Sequence, residues 1–255
     1  MTFKKLTRIF IVLLVISIMM SILGFIPWWS ILLLVLVYLI WIIYGSITIH
    51  SNFFMDVVCS VDKPKQIALT FDDGPDPEHT PRMMDLLESR GLRGTFFLLG
   101  RNVTKHEKLT KEIRERGHIV ANHTDTHPIL WGLMSVKDLE NEVVTTGVKI
   151  KKATGLTPNF FRPPFGVMNP KVVRMVKKLN LDVVGWDLRS RDGGPLNRDQ
   201  IYKIVRPQLE TSSILLFHDT NPETYFALER VLDDCKNLGL EIVPLDQLIG
   251  KPAYA

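Results

Sequence analysis

The chain is predicted to be an α/β protein, a seven-stranded (β/α) barrel behind an N-terminal transmembrane helical hairpin. Three observations carry that expectation. Short apolar runs alternate with helical patterns from residue 66 onward, reactive side chains fall just after several of those runs, and the first 48 residues hold two long stretches without a charge.

Residues 9–26 and 28–45 are each long enough to cross a hydrocarbon core of about 30 Å as a helix. Pro27 separates them and Trp28 and Trp29 suit an interface, so a hairpin anchor is expected over residues 1–48. Lys4, Lys5 and Arg8 ahead of an apolar core also fit a secretory signal. No small-residue cleavage pattern follows, however, and the apolar stretch runs past signal length, which favours an uncleaved anchor. Residues 49–64 read as a connector and 65–255 as the main domain.

Residues 67–71 read as the first strand, after which Thr80 as N-cap and Pro81 open a helix that stops at Gly91. Residues 96–99 are the second, followed by a helix capped by Thr104 and ending at Gly117. Residues 119–121 are the third. Ser135 with Asp138 starts a long helix, residues 160–161 make a short strand, and Asn169-Pro170 opens another helix. Strands at 181–186, 214–217 and 241–243 complete the seven. Parallel pairing through helical crossovers allows a barrel or an open doubly wound sheet. Asp72, His123, Arg162, Asp187 and His218 stand at or just beyond strand C-termini, the end at which barrels assemble sites, and this selects the barrel.

Charge excludes a nucleic-acid partner. Three of the 31 basic residues precede Ser51, so the remainder carries 28 against 27 acidic ones and has no basic excess. Cys59 and Cys235 lack metal-site spacing and read as two unpaired thiols.

The chemistry sits in four segments: Thr70-Phe71-Asp72-Asp73-Gly74-Pro75, His123-Thr124-Asp125-Thr126-His127-Pro128, Phe161-Arg162-Pro163-Pro164-Phe165-Gly166 and Leu215-Leu216-Phe217-His218-Asp219. One Asp and two His make a three-ligand site with open coordination positions, the need of a hydrolytic metal. Zinc is the default single divalent ion, and cobalt, iron or manganese suit the same donors. Only one of Asp72 and Asp73 is expected to bind it, because adjacent side chains point differently. Pro128 disfavours helix at His127, which sets the histidine pair on a loop.

In order and spacing these segments resemble the polysaccharide deacetylase family with the NodB-like catalytic domain, carbohydrate esterase family four. The resemblance runs from about Lys65 to the end and takes in Gly94-Thr95-Phe96-Phe97 and Gly117-His118. It implies a distorted barrel of about seven strands, Asp73, His123 and His127 as metal ligands, and Asp72 as general base. Arg162 would keep Asp72 ionised and fix its direction. The backbone N–H of Phe165 would meet the developing oxyanion, with Pro163 and Leu216 beside the substrate, and His218 would protonate the leaving amine. Asp192 is the match for the aspartate that tunes this histidine, with Asp187 the alternative.

Two positions depart from the family pattern. Gly193 replaces a tryptophan, and Arg189 stands where many relatives carry an acid, so one wall of the substrate groove is expected to be altered. Three further histidines, His79, His106 and His118, are expected at the surface or behind the site. Asp125 and the lysines 149, 151 and 152 are expected in solvent.

The resemblance implies a deacetylase of an N-acetylated amino sugar in a cell-envelope polysaccharide, peptidoglycan or glycolipid. A deformylase or O-acetyl esterase of a lipid-linked sugar is a second reading. A catalytically silent membrane-anchored carbohydrate-binding protein is a third, and it predicts decay at the motif residues, which is not seen. A bacterial-type inner or plasma membrane is the expected location. The positive-inside rule assigns both ends of the hairpin to the cytoplasm, whereas relatives acting on wall polymers work outside.

Overall fold

The computed structural model describes residues 2–255. Two helices lead, α1 (Phe3–Ile22) and α2 (Trp29–Ile47), and they pack as a hairpin: Thr7 Oγ1 and Tyr38 OH are 3.0 Å apart and the Phe10 and Tyr38 rings stack at 4.0 Å. Both are long and apolar enough to cross a membrane, and each buries a single residue, Leu6 and Gly45. The first helix starts earlier than residue 9 because Lys4, Lys5 and Arg8 are good helix formers and extend it. It stops before residue 26 because Gly24 turns the chain at φ +77 just past its end.

The connector is packed rather than free. Ile49, Val57 and Cys59 are buried in one cluster with Val184 and Trp186, and Val58 bridges Val184 in parallel.

The main domain contains β1 (Gln66–Asp72), α3 (His79–Glu88), β2 (Thr95–Leu98), α4 (Gly100–Lys105), α5 (Glu107–Glu115), β3 (Ile119–Asn122), α6 (Val136–Thr154), β4 (Phe160–Phe161) and α7 (Pro170–Leu179). Then follow β5 (Asp182–Val183), β6 (Leu188–Arg189), α8 (Arg198–Val205), β7 (Ile214–His218), α9 (Pro222–Asn237), β8 (Glu241–Ile242) and α10 (Leu245–Ile249). All strand pairs are parallel. The order is β5-β4-β3-β2-β1-β7-β6, with β8 alongside the first residues of β1. The sheet curls into a half-barrel.

Among the described residues eight short strands stand where seven were expected, because the run 181–186 is interrupted. The backbone leaves β5 after Val183, and β6 begins only at Leu188. Asp187 thus lies before β6 and not after a strand. Its carboxylate accepts from the amides of Ser213 and Ile214 at 2.8 and 2.7 Å, a structural brace at the start of β7.

Period-two alternation decides what faces inward. Ile67, Leu69 and Phe71 join the outer core with Met83, Leu87, Phe96 and Phe217, while Ala68 and Leu216 belong to the inner one with Phe97, Ala121 and Phe161. Thr70, Asp72 and His218 continue the inner rows. Because Asp72 is in register with His218, two reactive groups emerge side by side at one rim.

Two predicted caps are replaced. Helix α3 is capped by Asp76, whose Oδ1 accepts from the amides of Glu78 and His79 at 2.9 and 2.8 Å, and the Thr80 hydroxyl is turned instead to the buried Asp219. Thr104 lies inside α4, bonded to Gly100 O at 3.0 Å, and the chain kinks at His106 before α5. Ser135 and Asn169 cap α6 and α7 as expected. His118 is fully buried rather than superficial, accepting from Gly94 N at 3.1 Å, and burial holds its pKa below the ordinary histidine value. Cys59 and Cys235 are free, and burial pushes their thiols up to about 11 and about 12.

Candidate active site

Asp73, His123 and His127 each direct one donor atom into a cluster less than 4.8 Å across. Asp73 Oδ1 is 3.6 Å from His123 Nε2 and 3.9 Å from His127 Nε2. That oxygen is buried and has no hydrogen-bond partner, the condition of an acceptor awaiting a cation. His123 has its other nitrogen, Nδ1, 2.8 Å from the carbonyl of Arg162, which fixes the tautomer that leaves Nε2 free to bind. One carboxylate and two imidazoles converging on an orphaned oxygen fit a divalent metal.

The backbone that presents these groups is held in rare conformations. Asp73, Thr124, His127, Phe165 and Arg191 all have positive φ, between 54 and 74 degrees, although none is glycine. Each such residue costs of order 1–3 kcal/mol and persists only where its surroundings enforce it. The enforcement is visible. Asn102 Nδ2 donates to Asp73 O at 2.9 Å, and the amides of Asp125 and Thr126 donate to the Glu142 carboxylate at 2.9 and 2.8 Å. Lys149 holds the Asp125 carboxylate at 2.6 Å. Asp125 is therefore half-buried and braced, and Lys149 is part of that brace, contrary to the expectation of solvent for both.

Asp72 stands beside the cluster, with Oδ2 3.7 Å from His123 Nε2. Its Oδ1 accepts from Arg162 Nη1 at 2.7 Å. Arg162 is wholly buried, and its remaining donors reach Thr70 Oγ1, Val184 O and Gly185 O at 2.9, 3.1 and 2.7 Å. Its guanidinium lies 4.1 Å over the Phe97 ring. Burial lowers the Arg162 pKa and Asp72 opposes that fall. A carboxylate clamped this way has one oxygen engaged and the other directed at the cluster.

On the other side His218 Nε2 is 3.9 Å from Asp73 Oδ2, and Nδ1 is 2.7 Å from Asp192 Oδ1. Asp192 Oδ2 accepts from the amide of His218 and from Thr224 Oγ1 at 2.9 and 2.7 Å. Burial opposes the imidazolium, but the hydrogen bond and charge of Asp192 outweigh it and push His218 up to about 9. Burial alone would hold Asp192 protonated; His218, Ser190 and Thr224 reverse that and lower its pKa. His127, with burial and then the charge of His123 acting on it, lies below the ordinary value.

Phe165 is 48% exposed, and its ring meets that of His127 at 4.6 Å, edge to face. It stands in a single turn, Pro164–Gly166, closed by Gly166 N donating to Pro163 O at 3.0 Å. Pro163 and Leu216 line the same cleft, of about 940 Å³, together with His50, Trp186, Arg189, Arg191, Gly193 and Gln208. The sequence gives no functional signal for His50, Asn102, Glu142, Lys149 or Trp186, because none stands in a motif; Lys149 reads there as a surface charge and Trp186 as the end of a strand.

A carboxylate restrained by arginine on one side of the donor cluster and an imidazole backed by aspartate on the other have the polarity of acid–base hydrolysis, and the class of protein so defined is a half-barrel hydrolase. Residues 60–184 match the family described as polysaccharide deacetylase. The chain is 33% identical over 187 residues to peptidoglycan-N-acetylglucosamine deacetylase PgdA of Listeria monocytogenes, 73% of this chain and 39% of that one. It is 31% identical over 188 residues to a peptidoglycan-N-acetylglucosamine deacetylase of Bacillus cereus, 72% of this chain and 68% of that one. Among solved structures, the Bc1960 peptidoglycan N-acetylglucosamine deacetylase superposes with a TM-score of 0.74 at 28% identity, over 78% of this chain and 94% of the other. The chain belongs to the polysaccharide deacetylase family. It spans about two fifths of the length of the Listeria relative.

Proposed function

We propose that this chain is a membrane-anchored, metal-dependent deacetylase that removes N-acetyl groups from an amino sugar of the cell envelope. The observation that carries the reading is the orphaned Asp73 Oδ1 between two imidazole nitrogens, with a clamped carboxylate and an aspartate-backed histidine on either side. Relatives named as peptidoglycan deacetylases support the acyl group and the sugar.

Asp73, His123 and His127 would hold the ion. Two imidazoles and one carboxylate suit zinc, and cobalt, iron or manganese are compatible with the same donors. When bound, the ion supplies Lewis acidity and lowers the pKa of water near it. Asp72, held in position by Arg162, takes the proton from the attacking water. The Phe165 N–H faces the oxygen on which negative charge develops. His218, held protonated by Asp192, gives its proton to the departing amine, without which that amine is a very poor leaving group. Pro163 and Leu216 bound the space that the acetyl group enters. A silent carbohydrate-binding scaffold requires none of these residues, and the chain retains each of them.

Residues 1–48 form the proposed anchor, 49–64 the connector and 65–255 the catalytic domain. The two exposed apolar helices support the anchor. The decisive measurement is acetate release from N-acetylated glycans by the full chain in detergent or nanodiscs, before and after chelation. Turnover is expected to vanish on chelation and return with a stoichiometric divalent ion. Asp73→Ala, His123→Ala and His127→Ala should each lose more than the roughly 10–100-fold typical of residues that only brace a ligand. Normal turnover and full metal content in any of the three would refute the site. Release of formate rather than acetate from acylated sugars would transfer the same machinery to a deformylase.

A further inference from the structure

The cleft, the hairpin and a set of exposed apolar side chains meet at one end of the molecule. The last turn of α2 is tied to the loop after β4, where Met168 N donates to Ser46 O at 2.9 Å. His50 follows α2 by three residues, lines the cleft, and meets Trp186 edge to face at 6.2 Å. Three residues reach about 11 Å even when fully extended. The cleft wall therefore begins at the depth where α2 would leave the bilayer.

The loop after His127 lies on the same side. Trp131 Nε1 donates to Val167 O at 3.2 Å and Asn169 Nδ2 to Gly132 O at 2.7 Å, so this loop is fastened to the segment that binds Ser46. Yet Ile129, Leu130 and Leu133 are 85%, 64% and 75% exposed. Large aliphatic side chains held outward on a braced loop make an apolar patch that calls for a partner, and here the patch is linked through bonded contacts to the end of an apolar hairpin.

The end of β6 and the loop that follows it supply the third feature. Arg189 and Arg191 are exposed, line the cleft, and among the described residues neither has a carboxylate within ion-pair distance. The Arg189 guanidinium rests 5.7 Å from the centre of the Trp186 ring, the ring that His50 also touches. Unpaired guanidinium groups at a binding cleft suit phosphate, which they can grip through two parallel hydrogen bonds.

We propose that the cleft works against the bilayer surface and takes an N-acetylated amino sugar carried on a phosphate-linked lipid. Arg189 and Arg191 hold the phosphate, and Ile129, Leu130 and Leu133 enter the headgroup region. The inference rests on the deacetylase reading and names its substrate class. Hydrolysis balances without a further reactant: water adds hydroxyl to the acetyl carbon, the carbon–nitrogen bond breaks, acetate leaves, and the amine stays on the lipid-linked sugar with the second hydrogen of the water.

The test uses the full chain in nanodiscs, with acetate release as the readout and three substrates. These are a lipid-phosphate-linked N-acetylated amino sugar in the same bilayer, the corresponding free sugar 1-phosphate, and a soluble N-acetylated glycan oligosaccharide. kcat/KM is expected to fall by about tenfold at each step in that order. Arg189→Ala with Arg191→Ala should cut the lipid-to-oligosaccharide ratio by about tenfold. Ile129→Ser, Leu130→Ser and Leu133→Ser together should cut the ratio of lipid-linked to free sugar phosphate by about fivefold, through lost apolar insertion. Equal or better turnover of the soluble oligosaccharide overturns the proposal and leaves the deacetylase reading standing. Equal turnover of the free sugar phosphate overturns the bilayer-facing half. Acetate from none of the three overturns both readings together.

Discussion

The inner and outer halves of the site are built on opposite terms. Around Arg162 every guanidinium nitrogen is engaged, the Asp72 carboxylate is nearly inaccessible, and alternation along β1 and β7 dictates which side chains face in. Around Arg189, Arg191 and Gly193 the residues are exposed, neither guanidinium has a carboxylate within ion-pair distance among the described residues, and the backbone is the end of β6 and the loop that follows. A group that moves a proton has to be held in one position, so its neighbours are overdetermined. A wall that meets substrate has to leave its polar groups unsatisfied until the substrate arrives. The difference predicts that inner changes damage catalysis and stability together, whereas outer changes alter rate or selectivity alone.

The largest effect is expected from Asp72→Asn. The amide oxygen can still accept from Arg162, but the buried guanidinium loses its counter-charge. Turnover should fall by on the order of 10³-fold with metal retained. Removing one partner of a buried pair costs about 3–5 kcal/mol, so the melting temperature should drop as well. An unchanged melting temperature would break the comparison.

A smaller effect follows from Asp192→Asn. His218 lies at about 9 because Asp192 outweighs burial, so the protonated acid persists to about that pH and kcat/KM declines above it. With the pair gone, burial is opposed only by the charges of Asp72 and Asp73, and the basic limb should move well below 9. At pH 8 the loss should be about 100-fold for an amide and much less for an ester with a good leaving group. Because the folded value is raised, the pair also stabilises the fold fully below the unfolded value near 6.5 and ceases to do so as pH rises through about 9. Urea melts of the two proteins should converge at high pH. A basic limb that stays near 9 in Asp192→Asn would show that another group sets it.

Gly193→Ala should do least. A Cβ there would stand 3.0 Å from His218 Cε1 and 3.2 Å from Nε2, so the ring has to give by a few tenths of an ångström. A loss of roughly three- to tenfold in kcat is expected, since even 1 Å of misplacement costs about 100-fold. The melting temperature should not move, because Gly193 is exposed and packs no core. A fall in stability comparable to that of Asp72→Asn would erase the distinction between the two halves.

Much of the inner half was legible in the chain. Asp72, Asp73, His123, His127, Arg162 and His218 sit in short segments whose spacing is set locally by strand ends and turns. The largely apolar run 181–186 does not reveal where the backbone leaves the sheet. Asp192 and Asp187 both stand in the segment that matches the family's fourth motif, and the 2.7 Å contact with His218 separates them. Thr80 and Thr104 look like caps because Thr is a good one. Asp76 takes the first place, and Thr80 is drawn away by Asp219 across the fold.

By itself the sequence determined the ingredients: an α/β alternation, two apolar helices, and a full set of hydrolytic side chains at strand ends. Those depend on period, local turn chemistry and residue type, all of which act within a few positions. The tertiary structure alone decided that Glu142 and Lys149 on α6 brace the loop from His123 to His127, and that His50, from just beyond the hairpin, forms a wall of the cleft. Those contacts join residues far apart along the chain, where no local energy term connects them. They exist because closing the sheet brings α6 and the end of α2 to the same rim.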